Sequence, residues 1–233
     1  MWWWLAAALA QDACTYVGMS DITSVSAPAV IVLGERHGFQ PDLGRASRVA
    51  HALQRRGPVT VALEAVHARF QPILDDFARG RMEPSDLPEL MSWEDSWGFP
   101  YAPYQPLVTG SRAGMKVVAA GLDLGPRPDD QPVPLPPRYM EILRPAMGDH
   151  TIPPESEGRF VQAMAWRDYR IAEIALSAWS GQGYLVIVTG RGHVEGGKGV
   201  AWQAQRMTQV PVQGYVLKAG PDAPCWPGDQ LWR

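Results

Sequence analysis

Two segments of the chain combine a glycine, a charged side chain and a histidine three residues after the glycine. They read GERH at residues 34–37 and GRGH at residues 190–193. Imidazole and carboxylate groups together suit a divalent metal such as Zn, Mn, Co or Fe(II), and a metal-bound water of lowered pKa is a nucleophile in hydrolysis. Without a metal, a His/Glu pair still transfers protons if burial raises the pKa of the glutamate toward neutrality.

These segments follow apolar runs that predict strands buried on both faces. Residues 29–33 precede GERH, residues 59–63 precede a glutamate, and residues 184–189 precede GRGH. Ligands of an open parallel sheet bind beyond the carboxyl ends of its strands, so we expect these side chains to meet at one edge. The candidate set, as catalytic residues or as metal ligands, is Glu35, His37, Glu64 and His193. In the alternative interpretation, the glutamates cap helices or pair with arginines, and the histidines are polar rim residues.

The elements that must position this set alternate between strand and helix. Further apolar runs at residues 116–120 and 214–218 predict strands, and apolar stripes at helical spacing lie within residues 43–53 and 160–178. The pattern predicts an α/β fold with a mainly parallel sheet of about five strands and helices on both faces. Residues 11–233 are expected to form a single domain, with a proline-rich insertion at residues 125–137 that is neither helix nor central strand.

A second candidate site is aromatic. Trp97, Tyr101 and Tyr104 lie in a segment rich in rings and prolines, residues 93–106. Such rings can line a pocket for a flat hydrophobic ligand, and a phenolate can ligate ferric haem iron. The alternative is a rigid loop that packs over the edge of the sheet.

Composition excludes some classes of protein. The 233 residues are 46% hydrophobic and carry a formal net charge of -3. There is enough apolar material to bury a core, which excludes disorder of the whole chain. The mild acidity gives no electrostatic reason to expect nucleic acid or an anionic membrane surface as a partner.

The N-terminus and the cysteines point to export. Residues 1–10 form a short apolar run that ends in a small-x-small pattern, which predicts a signal segment, although a basic n-region is missing. The run is about half the ~20 residues needed to span a bilayer, and no other segment predicts a transmembrane helix. Cys14 and Cys225, the two cysteines of the chain, can form a bridge in an oxidising compartment. The alternatives are an N-terminal helix packed on the domain and two unrelated thiols.

An ordered set of segments resembles the ChaN family, the haem-binding-uptake branch of the Tiki/erythromycin-esterase-like superfamily. Each segment alone is weakly specific, but their order covers roughly residues 28–218. The segments are VIVLGERH (30–37), VALE (61–64), FQPILDDFARG (70–80), WGFPYAPYQPLV (97–108), VVAAGL (117–122), MAWRDYRIAEIAL (164–176) and VIVTGRGHVEGGKGV (186–200).

The resemblance implies an α/β fold, a periplasmic or surface location, and haem binding for iron acquisition. Haem in this branch is bound through tyrosine at a dimer interface, which implies a homodimer with Tyr104 and Tyr101 as the candidate ligands. Two features depart from the family: a clear lipobox is missing before Cys14, and the proline-rich insertion can cover or reshape the cleft.

Relatives in the wider superfamily are metal-dependent proteases or esterase-like enzymes. That relation implies an active site at Glu35, His37, Glu64 and His193, with a peptide or small molecule as substrate. Three hypotheses follow: an exported haem-binding protein, a metal-dependent hydrolase, and a non-catalytic α/β domain that binds a partner through its rim.

Overall fold

The structure, a computed structural model, describes residues 14–123, 133–146, 152–217, 226 and 229–232. Three predictions fall wholly or largely outside these residues: the signal segment at residues 1–10, most of the insertion at residues 125–137, and Cys225.

The described residues form one sheet of seven parallel strands with helices around it. The strands are β1 (Thr15–Val17), β2 (Ala29–Glu35), β3 (Val59–His67), β4 (Lys116–Gly121), β5 (Tyr184–Gly190), β6 (Val212–Leu217) and β7 (Gln230–Trp232). Their order across the sheet is β1-β7-β6-β2-β5-β3-β4. The predicted α/β class, parallel sheet and five apolar strands are confirmed, and β1 and β7 are additional edge elements of three residues each.

Helices cover both faces of the sheet, as predicted. They are α1 (Met19–Thr23), α2 (Gln40–Gln54), α3 (Gln71–Ala78), α4 (Leu87–Leu90), α5 (Trp93–Ser96), α6 (Gln105–Val108), α7 (Tyr139–Ala146), α8 (Pro154–Ala178) and α9 (Gly199–Met207).

The core is divided by the sheet because successive side chains of a strand point to opposite faces. Ile31 and Leu33 of β2 belong to one cluster, which also contains the buried face of α2. Val30 and Val32 belong to the other, which contains the buried faces of α8 and α9. The central strands are buried along their whole length and apolar over most of it, which is the pattern that made them recognisable in the sequence.

The first and last strands of the described chain are neighbours. Thr15 pairs with Gln230 and Val17 with Trp232, and β7 in turn pairs with β6. The Sγ atom of Cys14 lies 3.1 Å from the backbone oxygen of Trp226. Within the described residues, no helix is long and apolar enough to cross a membrane.

Candidate functional site

The four predicted acid–base residues all lie at the carboxyl edge of three adjacent strands, β2, β5 and β3. Glu35 is the last residue of β2, and His37 follows it. Glu64 belongs to the carboxyl half of β3, while His193 closes a short 3-10 turn after β5. The register pairs Glu35 of β2 with Gly190 of β5, so the two Gly-x-x-His segments lie side by side.

An irregularity in β3 places Glu64 at this edge. The register between β3 and β4 shifts between Leu63 and His67, as at a β-bulge. A Cβ atom on Gly121 of β4 would lie 2.1 Å from the backbone oxygen of Glu64. The bulge therefore requires glycine at position 121.

Glu64 and His193 form a buried ion pair. The Nε2 atom of His193 lies 3.3 Å from Oε1 of Glu64, and both residues are under 10% exposed. The other carboxylate oxygen, Oε2, accepts hydrogen bonds from Oγ1 of Thr189 at 2.6 Å and from the amide of Gly190 at 2.8 Å. The Arg167 guanidinium lies 3.6 Å from Oε1.

The other ring nitrogen of His193 faces a second carboxylate. Its Nδ1 atom lies 2.5 Å from Oδ1 of Asp168, a fully buried residue of α8. The hydroxyl of Tyr139 donates to Oδ2 of the same carboxylate. Asp168 and Tyr139 were not among the predicted site residues. A signal was available for Asp168, because it lies on the helical face that also carries the buried Ala165 and Ala172.

The positive charge of His193 and the negative charges beside it shift one another's pKa values. Burial alone would lower the pKa of His193, but the negative charges of Glu64 and Asp168 outweigh it and raise that pKa to about 10. Burial would likewise raise the pKa of Glu64, but the His193 imidazolium holds it well below its usual value. The pKa of Asp168 is raised, because the burial of its charge outweighs the attraction of the His193 imidazolium. His193 is therefore an imidazolium at neutral pH.

Glu35 and His37 form a second pair, nearer to solvent. The Nδ1 atom of His37 lies 2.7 Å from Oε1 of Glu35, and the imidazole is 30% exposed while the carboxylate is buried. Burial raises the pKa of Glu35. It would lower that of His37, but the hydrogen bond to Glu35 and the negative charge of Glu64 raise it. Both shifts favour the protonated forms of this pair.

Gly190 connects the two pairs. Its amide binds Glu64, and a Cβ atom at this position would lie 2.6 Å from Cε1 and 2.8 Å from Nε2 of His37. The His37 ring thus packs directly on the backbone of residue 190, which only glycine permits. A cavity of about 340 Å³ opens here. Its lining includes Glu35, His37 and His193 of the two pairs, together with Arg36, Phe99 and Arg191.

The structure does not support the metal hypothesis for Glu35, His37, Glu64 and His193. Among the residues that the structure describes, no group of three or more His, Cys, Asp or Glu side chains is arranged to hold a metal ion. The physical reason is geometric: both nitrogens of His193 lie against carboxylates of the protein, Nδ1 at 2.5 Å from Asp168 and Nε2 at 3.3 Å from Glu64. What the arrangement can do is transfer protons, with Glu35 and His37 at the open side and His193 as a fixed positive charge behind them.

The predicted aromatic residues lie beside this edge, but their hydroxyl groups are buried. Tyr104 is 1% exposed; its hydroxyl donates to Oε1 of Glu35 at 3.1 Å and accepts from the amide of Gly38 at 3.0 Å. The Tyr101 hydroxyl is buried without a hydrogen-bond partner, and burial raises its pKa to about 12. Burial also raises the pKa of Tyr104. Burial and the raised pKa oppose the phenolate form that ligates iron, and the role of both tyrosines as haem ligands stays a prediction.

The rings that line the cavity are those of His37 and Phe99, and the Trp97 ring packs against both of them. The His37 ring meets Trp97 edge-on with centroids 4.6 Å apart and lies 5.1 Å from Phe99. Phe99 is 40% exposed, one of few large apolar side chains in the described chain with so much open surface. Trp97, a predicted ligand-binding residue, thus supports the wall of the cavity.

Solved structures with the same fold come from several bacterial proteins. The structure of "Cofacial heme binding to ChaN of Campylobacter jejuni" matches with a TM-score of 0.66 and 18% identity, over 83% of each chain. The type III effector HopBA1 matches at 0.56 and 15%, over 89% of this chain and 85% of that one. RRSP, a MARTX toxin effector domain from Vibrio vulnificus, matches at 0.53 and 17%, over 86% and 35%. At these identities the likeness shows the fold alone.

The sequence itself assigns the family. No curated protein matches the chain, but the family described as "Haem-binding uptake, Tiki superfamily, ChaN" matches residues 22–127 and 112–204. The matched residues contain both Gly-x-x-His segments, Glu64 and the aromatic segment. The chain belongs to this ChaN family of haem-binding uptake proteins.

Proposed function

We propose that the protein binds haem or a related porphyrin at the carboxyl edge of the sheet. The observation that carries the proposal is the cavity beside His37, in which an exposed aromatic ring and two guanidinium groups line one opening. Membership of a haem-binding family and the fold shared with a ChaN protein support the ligand class.

The residues of this cavity fit a porphyrin in two respects. Phe99 offers an exposed ring against which the flat face of a macrocycle can stack. Arg36 and Arg191 are suited to its propionate groups because a guanidinium pairs with a carboxylate through two parallel hydrogen bonds. The Nε atom of Arg36 donates to Asp42 at 3.1 Å, and its buried Nη2 atom makes no hydrogen bond with the described residues. When bound, haem would supply a redox-active iron; the residues named here hold its periphery.

Titration with hemin and with iron-free protoporphyrin tests this proposal. Because the stacking and propionate contacts do not involve iron, we expect both porphyrins to bind. Phe99→Ala or Arg191→Gln should weaken each by about tenfold, the effect of losing one good contact. The double variant Tyr101→Phe, Tyr104→Phe should retain the Soret shift. Leu90→Ala removes an equally exposed apolar side chain elsewhere and is the matched control. Absence of binding, or equal binding by Phe99→Ala, Arg191→Gln and wild type, would overturn the proposal.

Export, iron acquisition and homodimer formation complete the proposed role. The family description names haem uptake, which requires contact with external haem. The position of Cys14 beside Trp226, the sequence neighbour of Cys225, supports the predicted bridge, and the described residues contain no free cysteine. Mass spectrometry of the denatured protein with and without reductant distinguishes a bridge from two thiols. Light scattering with and without hemin measures the oligomeric state.

A second candidate function, hydrolysis without a metal, is favoured by one specific atom. Oε2 of Glu35 is buried without a hydrogen-bond partner, and the residue lines the cavity next to His37. As a carboxylate, Glu35 can take a proton from an attacking water, and its raised pKa suits it to hold that proton and return it to the leaving group of an ester or amide.

Assays with p-nitrophenyl esters and a peptide library test this second function. If the wild type hydrolyses any of them, Glu35→Gln should lower kcat/KM by about 100-fold or more, and EDTA should have no effect. Glu173→Gln on the outer surface of α8 is the control. Full activity of Glu35→Gln, or no hydrolysis by the wild type, would exclude the hydrolytic role.

A further inference from the structure

A second and larger cavity lies outside the cluster of acid–base residues. Its volume is about 690 Å³, and its lining comes from the segment between residues 88 and 101. The segment contains α4, α5 and the turn that leads to Tyr101. Nothing in the haem proposal or in the proton-transfer site uses this space, except that Phe99 stands between the two cavities.

One side of this cavity is aromatic and held in place. Trp93, Phe99 and Tyr101 line it. The Trp93 indole donates a hydrogen bond of 2.7 Å to the backbone oxygen of Phe99, and its ring meets that of Tyr101 edge-on at 4.9 Å. Trp93 is itself in the core at 4% exposure. The cavity wall is therefore preformed, as the walls of ligand pockets usually are.

The charges around the same cavity have one sign. Glu89, Glu94 and Asp95 line it, and no Lys, Arg or His is among its lining residues in this described segment. These carboxylates make no ion pair within the described residues. A porphyrin with propionate groups would be repelled here, whereas a cation would be attracted both by the carboxylates and by the negative faces of the rings.

Tyr101 adds a hydrogen-bonding requirement. Its hydroxyl is buried without a partner in the described chain. An unsatisfied buried hydroxyl is unfavourable, and its oxygen can accept a hydrogen bond from a bound N–H group. A quaternary ammonium has no such hydrogen, but a protonated primary amine has three.

We propose that this cavity binds a protonated primary amine attached to an apolar or aromatic body. The body lies against Trp93, Phe99 and Tyr101, and the ammonium group is held by the carboxylates and the Tyr101 hydroxyl. The same ammonium chemistry occurs in free arylalkylamines and in lysine side chains, so the test contains a probe for each source. The proposal does not rest on haem binding.

Calorimetric titration with four probes tests the proposal. Phenethylamine at neutral pH carries the charge and the ring, 2-phenylethanol is its neutral analogue, and 3-phenylpropionate is an anionic one. N-acetyl-lysine methylamide represents a lysine side chain. We expect phenethylamine to bind at least about tenfold more tightly than 2-phenylethanol, and 3-phenylpropionate to bind least. The stronger of the two amines then identifies the source.

Variants locate the binding. The double variant Glu94→Gln, Asp95→Asn should weaken the amine about tenfold or more and leave 2-phenylethanol unchanged, and Tyr101→Phe should weaken the amine several-fold. Glu83→Gln, an exposed glutamate outside the lining, should change nothing. Circular dichroism confirms that each variant is folded. Equal affinity for phenethylamine and its alcohol, or an amine affinity that the double variant does not reduce, would overturn the proposal.

Discussion

Replacement of Glu64 by alanine is expected to lower the free energy of unfolding by about 3–5 kcal/mol, the usual loss when one member of a buried ion pair is removed. The carboxylate is 2% exposed. Its removal leaves Thr189 and the Gly190 amide without their acceptor and leaves the His193 imidazolium beside Asp168 alone. Urea denaturation followed by circular dichroism at neutral pH measures the change.

Two further variants show whether burial and charge cause that loss. Glu173→Ala breaks a surface ion pair with Arg170 and should cost no more than about 1 kcal/mol, since exposed pairs contribute little. Glu64→Gln keeps an acceptor for Thr189 and Gly190 but removes the charge, so its stability should lie between those of the wild type and Glu64→Ala. A loss below about 1 kcal/mol for Glu64→Ala would contradict the buried ion pair.

Stability is also expected to fall as the pH rises from about 6.5 to 10, by an amount on the order of 4 kcal/mol. The pKa of His193 is about 10 in the folded protein, above its ordinary value of 6.5. A group whose pKa is raised by folding contributes its full stability below the unfolded pKa and loses it as the pH rises through the folded pKa. The lowered pKa of Glu64 acts only in acid, so it does not change stability across this window.

Unfolding measured at several pH values in this window tests the expectation. The His37 pKa is raised too, so it adds a smaller change of the same sign. His193→Gln should remove most of the pH dependence, whereas His51→Gln on α2 should preserve it. An unchanged slope in His193→Gln would show that the two carboxylates do not keep the imidazole protonated in the folded protein.

The positions of site residues could be predicted best where each residue closely follows a strand. Glu35, Glu64 and His193 each come within four residues of the end of a buried apolar run, and parallel strands end at a common edge. Their convergence was therefore predictable. The strands β1 and β7 were not predictable. A strand of three residues is too short to show an alternating pattern, and their pairing joins distant parts of the chain.

Two features of the site depend on tertiary contacts that local patterns do not contain. Asp168 lies 25 residues before His193 on a long helix, and its role follows only from how α8 packs across the sheet. The tyrosines were predicted as ligands from ring chemistry, but the packing of the segment decides which atoms face solvent. Tyr104 binds Glu35 across 69 residues of sequence, and this contact turns its hydroxyl inward.

The pairing of β1 with β7 has a consequence for the order of events during synthesis. Thr15–Val17 leave the ribosome among the first residues of the domain but have no strand to join until Gln230–Trp232 have followed. Until then the edge of β6 that β7 will cover also remains open, and an open strand edge can pair with another chain. The sheet is thus completed only once Gln230–Trp232 have been synthesised, although its central strands are available much earlier.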